Sequence, residues 1–96
     1  MLETLSLAQF TPLVGQPFTA HAAQGSVTLT LIEANALRGS GVGRAEPFSL
    51  IFVGPGEAHL AQGIYPLEHA ALPGLEVFIV PIGPNADGMQ YQAIFN

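Results

Sequence analysis

Ninety-six residues with a net charge of −5 and no cysteine describe one small domain, residues 1–96, that folds without disulfides or zinc–thiolate sites. Arg38 and Arg44 are the only Lys/Arg residues, too few to neutralise the phosphates of nucleic acid or an anionic membrane surface, so neither partner is expected. Only 9% of the residues are charged while 49% are apolar, which predicts that another chain covers part of the exterior, through self-association or a protein partner.

The opening Met1-Leu2-Glu3-Thr4 has no basic start and no apolar run, so no secretory signal is expected. No apolar stretch approaches the roughly 18 residues of a membrane span, and a cytoplasmic, soluble protein is the reading. Ser6-Leu7-Ala8-Gln9 has the spacing of a capping box. Leu7, Phe10 and Leu13-Val14 would form its apolar face, closed by Gly15, and Pro12 limits the helix to about two turns.

From Pro17 the apolar period changes to two. Phe18, Ala20 and Ala22 alternate with Thr19 and His21, and Val27, Leu29 and Leu31 alternate with Thr28 and Thr30 after a turn at Gln24-Gly25. This is a hairpin pattern. Its phase would put Glu33 among the apolar side chains, so the second strand should end or bulge near Ile32. Residues 35–46 read as a polar, glycine-rich loop carrying both arginines.

Phe48-Ser49-Leu50-Ile51-Phe52-Val53 follows as a strand apolar on nearly both faces, turned by Gly54-Pro55-Gly56. In Ile64-Tyr65-Pro66-Leu67-Glu68-His69, Pro66 points to an edge strand or a bulge. Leu75 to Pro81 and Met89 to Phe95 complete six strands, separated by a loop over 83–88 that ends in an Asp-Gly turn signal. With eight prolines and eleven glycines as punctuation, the fold class is all-β: a small antiparallel barrel or two-sheet sandwich with a short N-terminal helix. Ile51, Val53, Phe78, Val80 and Ile94 fall on strand faces that should meet solvent, so either the N-terminal segment or a second molecule covers them.

No chemical motif survives inspection. Arg38-Gly39-Ser40-Gly41-Val42-Gly43-Arg44 lacks the lysine of a phosphate loop and has Arg44 where a dinucleotide fingerprint needs glycine. His21, His59 and His69 have no metal-ligand spacing, and no metal or cofactor is expected. Glu68 and His69 are neighbours on a strand and point to opposite faces, whereas Tyr65 and His69 share one. Asp87, the sole aspartate, serves a turn more naturally than a Ser-His-Asp group.

The segments Phe10-Thr11-Pro12-Leu13-Val14-Gly15, Pro47-Phe48-Ser49-Leu50, Gln62-Gly63-Ile64-Tyr65-Pro66-Leu67-Glu68-His69 and Val80-Pro81-Ile82-Gly83-Pro84 carry a resemblance. So do Asp87-Gly88-Met89 and the C-terminal Tyr91-Gln92-Ala93-Ile94-Phe95-Asn96. Through them the chain resembles a family of short bacterial proteins classed as a domain of unknown function. The resemblance implies genes beside phage-tail-collar-like ones, hence an accessory or assembly role, and brings no catalytic residues.

The leading expectation is therefore a non-enzymatic structural or interaction module. Its contacts would be Ile51, Val53, Phe78 and Val80, with Arg38 and Arg44 at the rim. The alternative is a small-molecule-binding barrel lined by Phe48, Phe52, Tyr65 and Phe95. An enzyme ranks third, with Tyr65, Glu68 and His69 as its only candidates.

Overall fold

The computed structural model of the chain describes residues 5–37, 47–57 and 60–95. Six antiparallel strands close into a barrel in the order β1-β2-β3-β6-β5-β4. They are β1 (Pro17–Ala22), β2 (Gly25–Ala36), β3 (Phe48–Gly54), β4 (Gly63–Glu68), β5 (Glu76–Asn85) and β6 (Gly88–Phe95). The barrel is thus two three-stranded meanders, one joined to the other along β3 and β6, and the alternative of a sandwich falls away.

The N-terminal helix α1 (Leu7–Phe10) begins as its sequence predicts: Gln9 Oε1 accepts the Ser6 N–H at 2.8 Å. Pro12 stops it, and the chain continues as one 3₁₀ turn over Thr11–Leu13. The helix does not lie over an outer sheet face. Its Phe10 is fully buried, with ring centroids 5.8 Å from Phe48 and 5.9 Å from Phe95. Those two residues form the last rung of the β3–β6 ladder, so α1 stoppers one mouth of the barrel.

Alternation fills the interior. Phe18, Leu29, Leu31, Leu50, Phe52, Leu67, Val77, Ile79, Tyr91 and Ala93 all point inward and are buried. A six-stranded barrel is narrower than the eight-stranded kind whose side chains just fill it, so these residues suffice. The Phe18 ring meets Phe52 edge-on at 5.5 Å, and the Tyr91 hydroxyl accepts the Leu60 N–H at 2.9 Å.

The bulge expected near Ile32 is present. Register slips between Leu31 and Glu33, which keeps Glu33 exposed and lets β2 run on to Ala36. The same point anchors the chain entering β1, because Gly15 N–H donates to Leu31 O and Leu31 N–H to Gln16 O. Asn35 and Ala36, expected in the loop, are therefore strand.

The expected loop over 83–88 shrinks to a two-residue turn, Ala86-Asp87. Its flanks pair as Asn85↔Gly88, and Asn85 Oδ1 accepts both the Asp87 and Gly88 N–H groups. A second bulge between Pro81 and Gly83 lets β5 continue through Pro84. By strand alternation the nitrogen of Pro84 faces away from β6, where β4 no longer runs, so its missing donor costs no ladder bond.

Pro66 also differs from expectation, for β4 lies between β1 and β5 rather than at an edge. The β1–β4 ladder is nevertheless the shortest of the six, only Thr19↔Glu68 and Ala20↔Leu67. Leu67 N–H donates toward β5, to Leu75 O. The nitrogen of Pro66 must then face β1, opposite His21, and there it offers no hydrogen. The barrel closes along a seam that proline cuts short.

Candidate functional site

Two histidines clasp that seam. On β1, His21 points outward, and its Nε2 donates to Glu68 Oε1 of β4 at 2.9 Å. Just past β4, His69 Nδ1 accepts the Ala71 N–H at 3.0 Å, which leaves the proton of the neutral ring on Nε2. That nitrogen donates to Gln16 Oε1 at 2.8 Å, and the ring lies 4.7 Å from that of Phe18 on β1. Glu68 and His69 thus point to different sides, as neighbours on a strand must.

Beside the seam is an open groove of about 540 Å³. The turn after β4 supplies His69, Ala70, Pro73 and Gly74, while Pro66 and Leu75 give apolar walls. Glu68, Glu76 and His21 are its polar rim. Among the described residues there is no lysine or arginine, whereas Glu33, Glu57, Glu68, Glu76 and Asp87 are all exposed. The two carboxylates at the groove, Glu68 and Glu76, make its rim acidic.

Ser26 stands across from His21 in the β1–β2 ladder, with its Oγ 3.4 Å from His21 Nδ1. Serine, imidazole and carboxylate therefore follow one another across three strands. The order is that of a hydrolytic triad, but the surroundings are not. Ser26 does not line the groove, all three side chains stand in solvent, and the hydroxyl contact is long for a hydrogen bond. Tyr65, the other candidate for enzyme chemistry, donates its hydroxyl proton to Ala61 O at 2.6 Å, a structural bond. Among the described residues, no three His, Asp or Glu side chains gather to hold a metal.

The second feature is apolar. Outward positions on β4, β5 and β6 expose Ile64 (68%), Phe78 (50%) and Ile94 (53%), and Ile64 and Phe78 are directly paired. Sequence reasoning named Phe78 and Ile94 but missed Ile64, whose segment is interrupted by Pro66 two positions on. Ile82, at the β5 bulge, is also exposed. Ile51, by contrast, is buried (8%) between Glu33 of β2 and Gln92 of β6, while Val53 and Val80 are half-buried. The surplus apolar surface is therefore narrower than expected and shifted toward β4. Arg38, Arg44 and His59 lie outside the described residues; of the residues that flank the arginines, Leu37 N–H donates to Pro47 O at 2.9 Å.

Nothing in the sequence could have paired His21 with Glu68. They are 47 positions apart, and their meeting depends on β4 closing against β1 rather than against a strand near it in the chain.

The family model described as a domain of unknown function, DUF6916, matches residues 5–95. The chain belongs to the DUF6916 family. The matched span of the DUF6916 domain runs from just before α1 to the end of β6, so it takes in the helical stopper and the whole barrel. The same comparisons found no match among curated proteins or solved structures.

Proposed function

We propose that this DUF6916 protein is a non-enzymatic interaction module that engages another protein through the outer face of β4, β5 and β6. The observation that carries the reading is the exposure of Ile64, Phe78 and Ile94 on three adjacent strands of an otherwise packed barrel. An accessory place in a larger, phage-tail-like assembly is consistent with such a module, and Arg38 and Arg44 are its second contact. The absence of a water-excluding wall around Ser26, His21 and Glu68 weighs against hydrolysis.

A photo-crosslinking amino acid placed at position 78, and separately at the exposed position 28 of β2, three strands around the barrel from β5, tests the reading in cells that express the native partners. Adducts at 78 that disappear when Ile64 is replaced by Asp support it. Equal labelling at both positions, or none at either, refutes it.

A small-molecule reading survives in altered form. Phe48 and Phe52 are fully buried in ring contacts rather than lining a space, so a ligand would use the open groove at Glu68 and Glu76. Binding that leaves the resonances of Pro66, Glu68 and Glu76 neighbours unmoved in a nuclear magnetic resonance titration would remove this second reading.

A further inference from the structure

The exposed face and the acid rim are one continuous surface. On the outside of β4 the order is Ile64, Pro66, Glu68, and on β5 it is Glu76, Phe78, Val80. The rungs Ile64↔Phe78 and Pro66↔Glu76 are consecutive on that face. Moving along the strands, an apolar patch therefore gives way within two rungs to two carboxylates.

Three properties limit what can dock there. The first is charge: a second copy of this chain, at net −5, would bring its own Glu68 and Glu76 toward a rim of the same sign. Like charges across an interface disfavour that pairing, whereas Lys or Arg would complement it. The second is the backbone. Where β4 runs past the end of its short ladder with β1, and β5 past the end of its ladder with β4, Pro66 and Pro84 put a proline nitrogen on the unpaired side, where strand addition needs a donor. Docking by side chains is therefore favoured over addition of a seventh strand. The third is width. Two interstrand spacings, about 10 Å from β4 to β6, match the diameter of about 10–12 Å of an α-helix with its side chains.

We propose that the β4–β5–β6 face takes an amphipathic helix of a partner protein, its apolar stripe on Ile64, Phe78 and Ile94 and its Lys or Arg residues toward Glu68 and Glu76. This deepens the interaction-module reading and rests on it.

The test uses two synthetic 18-residue helical peptides with the same leucine stripe, one with lysine and one with glutamate at the remaining charged positions. Calorimetric titration is expected to give binding for the lysine peptide, at least tenfold weaker for the glutamate peptide. Phe78→Ser should weaken the lysine peptide at least tenfold, and Glu76→Gln several-fold, both with unchanged melting temperature. Equal binding of the two peptides overturns the charge assignment, and lysine-peptide binding that survives Phe78→Ser overturns the site. Light scattering supplies the remaining arm. A dimer that already forms in dilute buffer, where the like charges are unscreened, and is abolished by Phe78→Ser assigns the face to a second copy and overturns this proposal, while leaving the interaction-module reading intact.

Discussion

Tyr91 and Gly88, three residues apart on β6, show two different ways in which one residue can be irreplaceable. The Tyr91 ring is fully buried, and its hydroxyl is the acceptor for the Leu60 N–H. Tyr91→Phe keeps the ring and removes that acceptor, so it should cost about 1–3 kcal/mol for the buried donor left behind. Urea unfolding measures this directly, and an unchanged midpoint would show that water replaces the hydroxyl. Gly88 is needed for space as well as conformation. Its φ is +145°, and a Cβ there would collide with the carbonyl oxygen of Gly54. Gly25 has a similar φ, +134°, but nothing lies within 4 Å of its absent side chain. Gly25→Ala should therefore show the backbone cost alone, about 1 kcal/mol, and Gly88→Ala at least about 2 kcal/mol. Equal losses in thermal unfolding would mean that the contact with Gly54 relaxes freely.

At the scale of elements, Phe10 is the buried side chain of α1, with Leu13 also in the core and Leu5 and Leu7 packed against it. Phe10→Ala should destabilise the fold by about 3–5 kcal/mol, the usual loss for a buried phenylalanine, and expose Phe48 and Phe95 to solvent quenchers. The β1–β4 seam makes a different prediction. With two residue pairs and two histidine clasps, it should be the first part of the barrel to open. Replacing His21 and His69 together by Ala should speed amide exchange at Thr19 and Glu68 and leave the seven-rung β3–β6 ladder unchanged; uniform acceleration throughout would contradict a local weakness. How much of this was legible varies from element to element. The capping box at Ser6, the first hairpin and the bulge at Ile32 could be read from the sequence because each depends on residues a few positions apart. The extent of β5 could not, because Pro84 is tolerated only where no neighbour needs its donor. The clasp of His21 by Glu68 was equally hidden, since it follows from which strands meet at closure. The apolar patch was half visible: periodicity found Phe78 and Ile94, but the burial of Ile51 depends on the side chains flanking it.

The whole molecule combines a packed interior with an acidic, partly apolar wall. Its formal net charge of −5 should keep the barrel dispersed at low salt even with Ile64 and Phe78 exposed, because self-repulsion opposes association. Raising ionic strength screens that repulsion, so light scattering should detect more association in molar salt than in dilute buffer. A monomer at both ionic strengths would show that the face is too small to associate without a complementary partner. The ring contact between Phe10 and Phe95 has a further consequence. The helix that leads into the barrel and the strand that ends it meet at one mouth, while the Ala23-Gln24 turn projects from the other. A short linker could therefore splice residue 95 to residue 5, with new termini opened between Ala23 and Gln24. Such a circular permutant should keep every ladder rung and fold to the same barrel, with its ends now at the opposite pole.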